Sequence, residues 1–104
     1  MTRQYIITRL SVNNSDGEMN SYLEAICDTE EKARELLQDV FNDADSRFET
    51  KHGAVYSNPE WINADSFRVQ CTLSVGCIHL SYTETFFLSW TWKEKVHNPK
   101  WILE

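Results

Sequence analysis

Cys77 and His79 are the two residues of this sequence best suited to covalent chemistry. A thiol beside an imidazole can become a nucleophile, because the imidazole removes the thiol proton. Residues two apart on a strand leave the same side of a sheet, and the predicted register puts Thr72 and Ser89 on either side of His79. No carboxylate or oxyanion-binding group accompanies the pair, and an exposed polar sheet face gives the same pattern. A small enzyme or small-molecule binder using this face is therefore the alternative hypothesis, and a protein without catalytic activity is favoured.

Four acidic residues at intervals of four form the second distinctive pattern: Glu31, Glu35, Asp39 and Asp43. In a helix this spacing places them in one line, on the side opposite the apolar residues. Like charges at this spacing each cost roughly 0.2–0.5 kcal/mol. The row either contacts a cationic partner or is a solvated helix face, and both interpretations stay open. Phe87, an aromatic residue on the otherwise polar sheet face, is a further predicted partner contact.

The net charge of −6 limits the kinds of partner. Residues 1–65 carry a balance of −7 and residues 66–104 one of +1, so the acidity lies in the first two thirds. An acidic surface repels phosphate backbones and anionic lipid headgroups, so neither direct nucleic-acid binding nor membrane binding is expected. A basic protein would be attracted. An acidic surface also serves solubility alone, which is the competing interpretation.

Cysteine, histidine and glycine spacing predicts no cofactor or metal. The three cysteines are an odd number and show no spacing typical of a zinc site or a disulfide framework. The three glycines lie far apart, so no glycine-rich phosphate loop is present. The first ten residues contain no signal-peptide core, and the expected location is the cytoplasm.

Hydrophobic periodicity predicts a single small α+β domain over residues 1–104, a two-layer sandwich with the order β-β-α-β-β-β. One amphipathic helix, from about Thr29 to His52 with Asp28 as its N-cap, would cover a mainly antiparallel sheet. The predicted strands are Gln4–Val12, Ser21–Asp28, Phe67–Val75, Ile78–Tyr82 and Phe86–Trp92.

Cross-strand chemistry predicts the pairing of these strands. In the first hairpin Arg9 would face Glu24, and Ile7 would face Ile26. In the second, a turn at Val75–Gly76 would bring apolar residues together on one face. A three-residue turn at Thr83–Thr85 would fold the last segment, with a single long bent strand as the alternative.

The segments NPEWI (residues 58–62) and NPKWI (residues 98–102) hold the only two prolines and two of the four tryptophans. Asn before Pro is typical of a helix start. Each segment is therefore predicted to form one helical turn that anchors its Trp at an end of the core. Their flanking residues do not match, so they are not an internal repeat.

The sequence as a whole favours a small acidic interaction module, acting as an inhibitor or mimic that binds a basic protein. Small acidic inhibitors of cationic nucleases or DNA-binding proteins have this general profile, by analogy. A homodimer formed through an edge strand or through the face that carries Phe87 is a further hypothesis.

Overall fold

The chain is described by a computed structural model over residues 2–45 and 54–93, which form one five-stranded antiparallel sheet and a helix. The elements, in chain order, are β1 (Thr2–Asn13), β2 (Met19–Cys27), α1 (Glu30–Asp45), β3 (Ala54–Asn63), β4 (Ser66–Val75) and β5 (Ile78–Lys93). The strand order across the sheet is β2-β1-β5-β4-β3. The predicted α+β class and the β-β-α-β-β-β order are confirmed.

Helix α1 begins one residue later than its predicted cap implied. The hydroxyl oxygen of Thr29, rather than the carboxylate of Asp28, accepts a hydrogen bond from the backbone N–H of Lys32 at 3.2 Å. This is the geometry of an N-cap side chain, so the prediction of Asp28 as the cap is wrong. The predicted continuation of the helix to His52 lies outside the described residues. Within the described ranges no helix is long and apolar enough to cross a membrane.

Strand β3 occupies the segment predicted as a connector, and NPEWI lies inside it. The prediction of a helical turn at this pentapeptide is wrong. Asn58 has a positive φ of 54°, and the pairing with β4 shifts between Ser57 and Glu60. A bulge on an edge strand accommodates Pro59, which has no N–H to donate. NPKWI lies outside the described residues.

Strand β5 is a single strand of 16 residues, so the predicted turn at Thr83–Thr85 is wrong and the long-strand alternative is confirmed. Thr83 pairs with Val12 of β1 on one side and with Gln70 of β4 on the other. The segment is the centre of the sheet, where both sides of the backbone bond to a neighbouring strand. A turn there would leave these groups unpaired.

The hairpin registers differ from the predicted ones by small slips. In β4–β5 the turn lies at Gly76–Cys77, and Leu73 pairs with Leu80. That slip of two residues keeps every side chain on its predicted face. In β1–β2 a bulge between Ile7 and Thr8 reverses the face of part of β2, and Ile26 is consequently exposed rather than buried.

The core lies between α1 and the middle of the sheet. Its buried members are Ile7, Leu37, Ala44, Phe67, Val69 and Phe86. Phe67 stacks on Phe86 at a centroid distance of 5.0 Å and meets the edges of Phe41 and Trp61. Trp61 also stacks on Phe41 at 4.8 Å, so it packs against the core as predicted, although it does so from a strand.

Candidate binding surfaces

Within the described residues, the side chain found beside His79 is that of Ser74, rather than the predicted Thr72 or Ser89. Cys77 is exposed in the β4–β5 turn, and the ring nitrogen Nδ1 of His79 lies 2.9 Å from the hydroxyl of Ser74. Thr72 and Ser89 do not flank His79 as predicted, because the β4–β5 register is slipped and β5 does not fold back. Ser89 lies ten positions farther along β5, about 34 Å away for an extended strand.

The other two described cysteines, Cys27 and Cys71, are buried. In the part of the chain that the structure describes, no three His, Cys, Asp or Glu side chains come together in a way that could hold a metal ion. His52 and His97 lie outside the described residues.

The acidic row of α1 is exposed along its whole length: Glu31, Glu35, Asp39 and Asp43. None of these four forms an ion pair within residues 2–45 and 54–93. The arginine of the same helix, Arg34, is engaged elsewhere, with Glu30 at 3.1 Å and Asp65 at 2.9 Å. Hydrogen bonds to Asp65 and Glu30 raise the pKa of Arg34. Within the described residues, therefore, no basic side chain pairs with a carboxylate of the row.

A cavity of about 520 Å³ lies beside the C-terminal half of the described helix, on the helix side of the sheet. Its walls on the helix are Val40 and Asp43, and its floor is formed by side chains from all five strands. Asp43 is also the last member of the acidic row. The row and the cavity are therefore one continuous surface, with Asp43 at their junction.

An ion cluster crosses the cavity floor. Arg9 on β1 contacts Glu24 on β2 through Nε at 2.5 Å and Glu84 on β5 through a terminal nitrogen at 2.5 Å. Its guanidinium also lies 4.2 Å from the ring centre of Tyr22. Burial alone would lower the pKa of Arg9, but the hydrogen bonds to Glu24 and Glu84 raise it overall. The arginine is thus permanently charged and fixed by three partners.

Glu84 is the most deeply placed of these charges, with 2% of its surface exposed. In the sheet it stands between Ser11 of β1 and Val69 of β4. Burial, followed by the negative charge of Glu84, raises the pKa of the Cys71 thiol to about 12. Burial and the same carboxylate also raise the pKa of Tyr56. Both groups therefore stay protonated at neutral pH, and both line the cavity.

The sequence predicted only a small part of this site. Arg9 and Glu24 were expected to be neighbours and are, although the bulge replaces direct pairing with a diagonal contact. Glu84 was placed in the predicted turn at Thr83–Thr85, and the cavity itself was not predicted. The available signal was a pair of opposite charges, Arg9 and Glu84, each at a core-facing position of an otherwise apolar or threonine-rich strand.

Phe87 lies on the opposite side of the sheet from α1, because it alternates with the core-facing Phe86 and Leu88. Phe87 and the acidic row, the two predicted partner contacts, therefore lie on opposite sides of the sheet. Phe87 shares its face with Leu23, which is 63% exposed, and Ile26, which is 52% exposed. This outer face is a separate surface.

No protein-family model, no curated protein and no solved structure matches this chain. Function is therefore inferred from the contacts, burial and charges of the described residues.

Proposed function

We propose that this protein is a non-catalytic interaction module that binds a basic protein partner through the acidic row of α1. The observation that carries the proposal is the line of exposed carboxylates with no ion pair inside the described residues. An inhibitor or mimic of a nucleic-acid ligand is the form of activity that such a charged line suggests.

The spacing of the row supports this function more than solubility does. Acidic residues scattered over the surface would provide the same net charge without the repulsion of neighbours four apart. Within the described helix, Arg34 binds Glu30 and Asp65 rather than a carboxylate of the row. The local field is thus kept negative along the helix, which accelerates and orients the approach of a cationic surface.

The test is binding to a cationic probe, a decalysine peptide, measured by calorimetry at 20, 100 and 300 mM salt. We expect the affinity to fall steeply with salt, because exposed charges are screened over about 8 Å at physiological ionic strength. The triple variant Glu35→Lys, Asp39→Lys, Asp43→Lys should bind at least tenfold more weakly than the wild type at 20 mM salt.

The matched control reverses three exposed acids away from the row: Asp16→Lys, Glu18→Lys and Asp28→Lys. The control changes the net charge by the same amount as the triple variant. A difference in affinity between the two therefore reports where the charges lie rather than how many there are. A loss below threefold in the control supports the row as the binding surface. Equal losses in the two variants, or no loss in the row variant, would remove the row from the proposed function.

A further inference from the structure

We infer that the cavity beside α1 receives an arginine or lysine side chain of the basic partner. This inference rests on the proposed function and adds to it a specific anchoring site. Its ligand class is an aliphatic chain that ends in a guanidinium or ammonium group.

The charge of the cavity favours a cation. Among the described residues that line the cavity there is one arginine, Arg9, and there are three carboxylates, those of Glu24, Asp43 and Glu84, so the acids exceed the bases by two. Arg9 is already bound to Glu24 and Glu84 and stacked on Tyr22, so it does not present a free positive charge to an incoming group. A carboxylate has about four acceptor positions, and Arg9, Tyr56 and Cys71 are donors to Glu84, which leaves room for one further donor.

The uncharged part of the lining matches the rest of such a side chain. Tyr56, Cys71 and Tyr82 form a row across β3, β4 and β5, since Cys71 pairs with both tyrosines. Aromatic faces attract guanidinium and ammonium groups and also pack against methylene chains. A volume of about 520 Å³ is within the range of sites that enclose small organic groups.

The position of the cavity connects it to the acidic row. Asp43 belongs to both surfaces, so a basic segment lying along Glu35 and Asp39 reaches the cavity mouth without a change of direction. The row would supply long-range attraction, and the buried Glu84 would supply a short, desolvated contact. Interfaces commonly combine a charged rim with one buried anchor in this manner.

The experiment is an amide NMR titration of the 104-residue chain with butylguanidinium, and with butylurea as its uncharged counterpart of the same shape. We expect saturable shifts at the amides of Tyr56, Cys71 and Tyr82 with butylguanidinium. Butylurea should bind at least tenfold more weakly, because it lacks the charge that Glu84 and Asp43 attract.

Two variants test the assignment within the cavity. Glu84→Gln should weaken butylguanidinium binding at least tenfold, and the dispersion of its amide spectrum shows whether it remains folded. Asp43→Asn, an exposed substitution that leaves the core untouched, should weaken binding about threefold. The double variant Glu35→Lys, Asp39→Lys lies outside the cavity and should change this binding less than twofold.

The outcomes separate the cavity from the row. Shifts that are equal for butylguanidinium and butylurea, that map only to Glu35 and Asp39, or that persist in folded Glu84→Gln would overturn the inference. Decalysine binding through the row with no shift in the cavity would overturn the inference and leave the proposed function intact. Saturable butylguanidinium binding in the cavity, with decalysine insensitive to the row variant, would overturn the proposed function alone.

Discussion

The two ends of the space between α1 and the sheet are built from different chemistry. At one end Phe41, Trp61, Phe67 and Phe86 interlock through stacked and edge-on contacts. At the other end the sheet carries the ion cluster centred on Arg9, beside the cavity. Among the described residues, α1 packs against the aromatic end, and the end with the ion cluster lines the cavity.

The difference shows which end stabilises the fold and which end is available for binding. Packed aromatic rings stabilise the fold both by removing apolar surface from water and by favourable ring–ring contacts. A buried ion pair contributes little net stability, because desolvation of the charges offsets their attraction. The inward position of Arg9 and Glu84 therefore suggests a use other than stability. We expect substitutions at the aromatic end to change mainly stability and substitutions at the ion cluster to change binding as well.

The largest expected effect is at the packed end. Phe67 is fully buried, and Phe67→Ala should reduce the free energy of unfolding by about 3–5 kcal/mol. Urea denaturation monitored by tryptophan fluorescence measures this change in the free energy of unfolding. Tyr82→Ala, an aromatic truncation at the end that lines the cavity, should cost only about 1–2 kcal/mol because Tyr82 is half-buried. Equal costs at the two ends would contradict the comparison.

Removal of one partner of the ion pair should have the next largest effect. Arg9→Met leaves Glu84 buried without its cation and should cost about 3 kcal/mol, the low end for buried pairs because Arg9 is a quarter exposed. The double variant Arg9→Met, Glu84→Met should regain most of this loss, since no charge is left unpaired. It should nevertheless fail to bind butylguanidinium. If the double variant is as unstable as Arg9→Met alone, the ion cluster stabilises the fold and the comparison is wrong.

Alkaline pH should weaken the end that lines the cavity. Because the folded protein raises the pKa of Cys71 from 9.0 to about 12, it holds the thiol proton more tightly than the unfolded chain does. Stability from this group is complete below pH 9 and is lost as the pH rises toward 12. The loss should approach about 1 kcal/mol between pH 9 and 10, from a limiting slope of about 1.4 kcal/mol per pH unit. Urea midpoints measured at these pH values should depend less on pH for Cys71→Ala than for the wild type, and equal dependence would contradict the prediction.

The smallest expected effect is at the acidic row, where a charge reversal should increase the stability of the protein and weaken its binding to decalysine. Asp39→Lys converts two repulsive neighbours, Glu35 and Asp43, into attractive ones, and should stabilise the protein by roughly 0.5–1 kcal/mol. The same variant should weaken decalysine binding. Asp39→Asn removes the charge without reversing it. Its stability and its affinity for decalysine should lie between those of the wild type and those of Asp39→Lys. A stabilised variant with unchanged binding would favour the solvated-face interpretation.

Local signals in the sequence predicted the parts of the fold that local chemistry determines. Periodicity predicted α1, and alternation predicted β4 with Phe67, Val69 and Cys71 facing inward. The inner position of β5 was not predictable in this way, because it depends on β1 pairing along its whole length. Glu84 therefore looked like a turn residue. The dipeptide Asn58–Pro59 led to a wrong prediction of a helical turn, because a bulge on an edge strand and the start of a helix use the same residue types.

The bulge at Asn58–Pro59 also limits how copies of this chain could assemble. The two outer strands of the described sheet are β2 and β3, and β3 is interrupted by two register shifts and a proline without an N–H. Strand addition would therefore occur at β2, and two copies joined there would each present β3 at the outer end. Growth by strand addition at β2 would therefore stop at a closed pair of copies rather than continue into a fibre.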